Sequence, residues 1–278
     1  MRWQNVLGIF SGAGLFLAAG SVLAQQPIAH GIDMQQAASP VMHEIRFFHN
    51  YILVPITTVV VLFVLGLLLW CMFRFNAKRN PVPSKNSHNT LLEVLWTAVP
   101  ILILIFIAIP SFKLLYHEYT PPPADLTIKA TGYSWYWNYT YPDQGNFAFD
   151  SRMLEEKDRK DPATQPRLLA TYNDLVVPVG KVVHVHVTAD PQGVIHAFAL
   201  PAFGVKVDAV PGRLNEVWFK AERTGMYYGQ CSELCGANHA FMPISIRVVE
   251  QADFDKWLVD AKQKYAALDS ELNVASLR

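Results

Sequence analysis

The sequence has no excess of charge of either sign. Lysine and arginine number 23, aspartate and glutamate 23. The basic footprint of a nucleic-acid binder is therefore missing, and no nucleic-acid partner is expected. Charge of any kind is scarce, at 17% of 278 residues against 51% hydrophobic. The apolar excess gathers near the N-terminus, which points to a membrane rather than to a purely soluble chain. Cysteine is nearly absent. Cys71, Cys231 and Cys235 are too few for a disulfide scaffold, and two of them stand four positions apart. The sequence also shows no internal repeat.

Residues 1–24 carry Arg2, an apolar stretch and then Ser21-Val22-Leu23-Ala24. This pattern is that of a secretory signal peptide cut after Ala24. The alternative is an uncleaved third span, but the run is short and holds four glycines. No cysteine follows the cut, so lipid anchoring there is not expected. The leader implies a bacterial chain whose mature N-terminus is exported.

Two longer runs follow. From Phe47 to Phe73 there is no Lys, Arg, Asp or Glu, and Val94 to Phe112 is likewise uncharged. At about 1.5 Å per residue, either helix crosses a hydrocarbon core of about 30 Å. Pro55, Pro100 and Pro110 are expected near span ends, where a missing N–H costs little. Trp70, Trp96 and Tyr116 suit the aromatic belts. The connecting loop holds Arg74, Lys78, Arg79 and Lys85, and no acid until Glu93, which makes it cytoplasmic. Both flanks are then external, in agreement with the leader. Cys71 reads as an apolar packing residue inside the first span. Glu93 opens the second span and has two readings: an acid solvated at the headgroups, or a group on a proton path.

Beyond the stiff linker Pro121-Pro122-Pro123 the character changes. Leu126–Tyr141, Lys181–Thr188, Glu216–Lys220 and Ile244–Val249 have strand composition, and turn signals such as Pro211-Gly212 separate them. Short strands in this order predict an all-β sandwich or barrel. Ser151–Arg167, charged and with two prolines, reads as a long surface connection. Phe254, Trp257, Leu258, Ala261 and Tyr265 mark one face of a final helix with Asp253 as its N-cap. Residues 117–278 hold 16 basic and 20 acidic side chains, a mildly acidic surface that would suit a basic partner.

The segment most informative about chemistry is Gln230–Pro243, QCSELCGANHAFMP. It presents Cys231, Cys235, His239 and Met242. Thiolate, imidazole and thioether together select copper over magnesium or calcium. A mononuclear blue-copper loop needs one Cys, whereas here two thiolates could bridge two ions. Another imidazole must come from elsewhere. His196 is the first candidate. His184 and His186 alternate along a strand and share one face, either as a metal pair or as ordinary strand residues. Three other readings stay open at this point: a Cys231–Cys235 disulfide, a structural zinc site, and Met242 as core packing.

These residues resemble cytochrome c oxidase subunit II across nearly all of 40–260. The likeness rests on Glu93…Trp96-Thr97…Pro100, on Trp135-Tyr136-Trp137, on Val194-Ile195-His196…Gly204-Val205-Lys206-Val207-Asp208-Ala209-Val210-Pro211-Gly212-Arg213, and on Tyr227-Tyr228-Gly229-Gln230-Cys231-Ser232-Glu233-Leu234-Cys235-Gly236…His239…Phe241-Met242-Pro243. The resemblance implies a two-helix transmembrane hairpin and an all-β cupredoxin-like sandwich or barrel with a C-terminal helix. The implied order is a signal peptide over 1–24, an external segment 25–46, a first span 47–73, a cytoplasmic loop 74–92, a second span 93–116, a copper domain 117–250, and a helix and tail 251–278.

It further implies a binuclear copper centre. Cys231 and Cys235 would bridge both ions. His196 and Met242 would complete one, and His239 with the Glu233 carbonyl the other. The Glu233 side chain would help bind a magnesium ion shared with subunit I. Trp135 would receive electrons from cytochrome c, and Glu93 would lie at the mouth of a proton path. Subunits I and III would be partners, and the copper domain would face the periplasm. Two positions depart from the pattern: Gly193 stands where many members carry an acid, with Asp190 nearby, and Tyr133-Ser134 replaces the commoner His-Gln. Asp143, Asp150 and Asp190 are the candidate docking acids.

The resemblance makes the chain an electron-transfer subunit, not active alone, since it has no assignable haem ligands. A quinol oxidase subunit would lack Cys231, Cys235, His239 and Met242. A nitrous oxide reductase would need a propeller domain. A membrane-tethered copper carrier would favour an exposed, methionine-rich site.

Overall fold

The computed structural model describes residues 27–28, 31–82, 84–162 and 164–275, with side chains to residue 265. The expected signal peptide lies outside the described residues.

Two rods come first. The first is continuous from α1 (Pro40–Phe47) through a π-helical turn (Phe48–Leu53) into α2 (Val54–Arg74). Ser39 caps it by accepting from Met42 N–H. Pro55 explains the wide turn. It offers no N–H, and its ring crowds the carbonyl four residues back. The turn before it shifts register, and Val54 N–H donates to the His49 carbonyl. The second rod is α3 (Thr90–Glu118), capped by the Asn89 side chain. Pro100 and Pro110 lie inside it, and Pro55 inside the first rod. These prolines lie within continuous helices rather than at helix termini. Helix continuity survives because neighbouring turns adjust locally, as in other spanning helices. Both rods are long and apolar enough to cross a membrane, and their apolar side chains face outward.

The head domain is a sandwich of two five-stranded sheets. Its strands are β1 (Leu126–Tyr133), β2 (Tyr136–Tyr141), β3 (Phe147–Ser151), β4 (Leu175–Pro178), β5 (Val182–Ala189), β6 (His196–Leu200), β7 (Val205–Ala209), β8 (Asn215–Lys220), β9 (Gly225–Cys231) and β10 (Pro243–Val249). One sheet runs β3-β2-β1-β5-β8, the other β4-β10-β9-β6-β7. The long aromatic run 126–141 is thus two strands of a hairpin, broken at Ser134-Trp135.

β5 shows the period of two that builds such a layer. Val183, Val185 and Val187 are buried, and His184, His186 and Thr188 point away. Trp137, Tyr139 and Tyr141 alternate inward on β2 in the same way. Burying each large ring contributes about 1.5–3 kcal/mol.

α4 (Gln251–Ala275) closes one end of the sandwich. Phe254, Ala261 and Tyr265 are buried as the spacing predicts. Asp253 is not the cap. The helix starts at Gln251, so Asp253 sits in the first turn, where an acid favours the helix dipole and pairs with Lys256.

The head is strapped to the first rod. Ala38 N–H donates to Ala202 O, Glu222 N–H to Ala38 O, and the Arg223 guanidinium to Ala37 O. Gly204 sits against this strap at φ 73°, and a Cβ there would come within 2.6 Å of Ile45.

Candidate metal centre

The centre is built by a hairpin loop and one neighbouring strand. β9 ends at Cys231 and β10 begins at Pro243, with Pro243 opposite Gln230. The loop between them carries Glu233, Cys235, His239 and Met242. Gly236, at φ 114°, lets it turn back beneath Trp135, whose ring a Cβ would meet at 3.1 Å. β6 lies beside β9 with Phe198 opposite Cys231, and this pairing delivers His196, the first residue of β6.

Both cysteines are free thiols, buried, with their sulfurs 3.8 Å apart. That gap is far too long for a disulfide, so that reading is set aside. Around Cys231 Sγ lie His196 Nδ1 at 3.9 Å and the Glu233 carbonyl at 3.3 Å. Around Cys235 Sγ lie His239 Nδ1 at 3.4 Å and Met242 Sδ at 3.6 Å. The donor atoms of His196, Cys231 and Cys235 all fall within 4.8 Å of one another. Six donors therefore converge on one small volume, all of them soft or borderline apart from the carbonyl, and the set suits copper.

Burial prepares these groups. It pushes the Cys235 thiol up to about 12, with the Cys231 thiol adding to the effect. A metal must therefore displace protons to bind. Burial likewise lowers the His196 imidazole, with His239 adding, which keeps it in the neutral, ligating form. His196 Nε2 is buried without a hydrogen-bond partner among the described residues. Gly132 makes room for the ring: a Cβ there would lie 2.9 Å from His196 Cδ2.

The other predicted residues fall in different surroundings. The Trp135 indole N–H donates to the Cys235 carbonyl at 2.9 Å. Trp135, Ser134, Arg152, Met153, Asn238 and Phe241 line a surface recess of about 430 Å³. Glu93 is half-buried in the first turn of α3, and its carbonyl accepts from Thr97 Oγ1. The three acids are already engaged within the chain. Asp143 accepts from Thr127 N–H, Asp150 from Asn138 and Arg152, and Asp190 from Gln192 N–H. His184 and His186 lie on the other sheet, apart from the centre.

Sequence reasoning missed Arg152. It sits in a charged loop with no motif, yet its guanidinium lies 3.6 Å over the Tyr136 ring and lines the recess with Trp135.

The model of the cytochrome c oxidase subunit II periplasmic domain matches residues 126–249, and that of its transmembrane domain matches 27–114. The chain belongs to the cytochrome c oxidase subunit II family. Within that family it is 50% identical to a probable cytochrome c oxidase subunit 2 of Rickettsia bellii, over 95% of both chains. It is 42% identical to cytochrome c oxidase subunit 2 of Cereibacter sphaeroides, over 98% of this chain and 97% of the relative. A crystal structure of the periplasmic domain of subunit II of cytochrome oxidase from Bradyrhizobium japonicum is 62% identical, covering 52% of this chain and 99% of that one, with a TM-score of 0.48. The family, the two apolar rods and the sandwich agree. This is a membrane-spanning protein with a role in an oxidoreductase complex.

Proposed function

We propose that the chain is the electron-accepting subunit of a terminal oxidase. It takes electrons from cytochrome c and hands them to haem in subunit I, where oxygen reduction is coupled to proton pumping. The observation that carries the reading is the pair of buried, unbridged thiols, each flanked by its own imidazole.

Cys231 and Cys235 would hold two copper ions, with His196 and Met242 as further ligands to one and His239 and the Glu233 carbonyl to the other. Such a centre would supply one-electron transfer with little change in bond lengths. The chain's own work is to hold that geometry. His196 is fixed by β6 and Cys231 by β9, and Met242 directly precedes Pro243, the first residue of β10; rigid strands hold ligands more tightly than loops do. The aromatic shell of Trp137 and Phe198 excludes water from the His196 side.

Trp135 receives the electron at the surface and is bonded directly to the Cys235 backbone. The Glu233 side chain would help bind a magnesium ion shared with subunit I. Glu93 stands at the cytoplasmic mouth of a proton path in subunit I, and subunit III completes the assembly. Asp143, Asp150 and Asp190 contribute to the surface that meets cytochrome c. Residues 1–24 direct export, so both mature termini and the copper domain are periplasmic, on a bacterial inner membrane.

The test is Cys235→Ser. Loss of the two-copper spectrum together with cytochrome c oxidation supports the assignment. A variant that keeps both contradicts it.

A further inference from the structure

The recess beside Trp135 carries one sign of charge. Among its lining residues Trp135, Met153 and Phe241 are apolar or aromatic, none is an acid, and Arg152 alone is charged. Asp143 and Asp190 do not line it. Asp150 stands behind Arg152 with both oxygens engaged: one accepts from Arg152 Nη2–H at 2.9 Å, the other from the Asn138 side-chain amide at 3.0 Å. Arg152 is itself held in place. Its guanidinium lies 3.6 Å over the Tyr136 ring, and Tyr136 stacks on Tyr133 with centroids 5.1 Å apart and planes 9° apart. A cation is attracted to the face of such a ring. The ring beneath and Asp150 at one edge fix the plane of the fork before any partner arrives. A guanidinium has five N–H donors, more than the bond to Asp150 uses, and the Arg152 side chain is 55% exposed.

We propose that Arg152 is a specificity-determining residue of the electron-entry surface: it takes a carboxylate on the contacting edge of the donor cytochrome, beside the apolar contact made by Trp135, Met153 and Phe241. The inference rests on the reading of Trp135 as the entry point. A planar fork that is already oriented binds a carboxylate through paired N–H···O bonds, and little further ordering is needed. A donor lysine at the same place would meet a like charge, which is one way an interface rejects a wrong partner.

The acid excess of residues 117–278 is spread over the head domain and acts on a partner from a distance, screened beyond about 10 Å at 0.1 M salt. Arg152 is the charge at the contact itself, where register is set. Asp150 then serves the contact by orienting Arg152, not by meeting a donor lysine. The donor that fits is a c-type cytochrome with an apolar haem edge and a carboxylate beside it, in place of an unbroken ring of lysines.

The experiment is stopped-flow reduction of the assembled oxidase by two c-type cytochromes of similar potential, one acidic and one basic, at ionic strengths from about 0.01 to 0.15 M. The unaltered oxidase and its Arg152→Gln, Arg152→Lys and Trp135→Leu forms are compared at equal copper content. Arg152→Gln should lower the rate constant for the acidic donor about tenfold relative to the basic one, and flatten the salt dependence of the acidic donor. Arg152→Lys should restore that salt dependence but only part of the rate, because an ammonium lacks the fork. Trp135→Leu should slow both donors. If it does, while the ratio between donors in Arg152→Gln is unchanged or shifts the other way, the role of Arg152 is overturned and the entry reading stands. If Trp135→Leu slows neither donor, the entry reading falls and the inference falls with it.

Discussion

Trp135 and Cys235 are joined without an intermediary: the indole N–H of one donates to the backbone carbonyl of the other at 2.9 Å. The ring faces a surface recess on one side and the metal loop on the other. The surface recess and the Cys235 backbone are thus one hydrogen bond apart.

Trp135→Leu removes both the ring and this bond. Loss of a central interface tryptophan costs about 2 kcal/mol or more, roughly 30-fold in affinity for the electron donor. Stopped-flow reduction by cytochrome c should slow at least that much, with the copper spectrum unchanged. An unaltered rate would remove Trp135 from the path.

Gly132→Ala tests the cradle around His196. The added methyl would sit 2.9 Å from the imidazole in a packed core. Overpacking of this kind costs about 1–3 kcal/mol. Weaker copper retention and lower thermal stability are expected, measured by dialysis and calorimetry. Normal copper retention would show that the ring can move.

Gly229→Ala should be more severe. Its Cβ would fall 1.9 Å from the Ala199 carbonyl oxygen, which is backbone and cannot swing aside. The β6–β9 pairing that aligns His196 with Cys231 would open. Destabilisation of about 3 kcal/mol or more, with loss of copper uptake, is the expected result. A variant that folds with native copper would contradict the observed register.

The candidate metal loop was legible because its donor residues lie within twelve positions, 231–242. The final helix was legible because Phe254 to Tyr265 repeat with a helical period. β6 was not, since all five of its residues are buried and alternation disappears. Nor was the strap of Ala37–Ser39, whose partners Ala202, Phe203, Glu222 and Arg223 are more than 160 residues away. The meeting of Glu216 with His184 and His186 depends on strand order, which no local pattern encodes.

Asp174 gives the fold a dependence on pH. Burial raises its carboxyl above the usual 3.8, although hydrogen bonds from Ser245 and Thr171 and the charge of Arg247 oppose this. The folded protein therefore binds this proton more tightly than the unfolded chain. The stabilisation is full below 3.8 and is lost as pH rises through the raised folded value. Denaturant melts of the metal-free protein should show this loss, and Asp174→Asn should flatten it. An unchanged slope in the variant would assign the dependence to another group.

The most direct measurement is metal analysis with optical and spin-resonance spectra on the copper-loaded head domain, residues 120–278. Two coppers per chain, with one unpaired electron shared equally between them, is the predicted result. One copper, zinc in place of copper, or an unmetallated disulfide would contradict the binuclear centre and the electron-accepting role built on it.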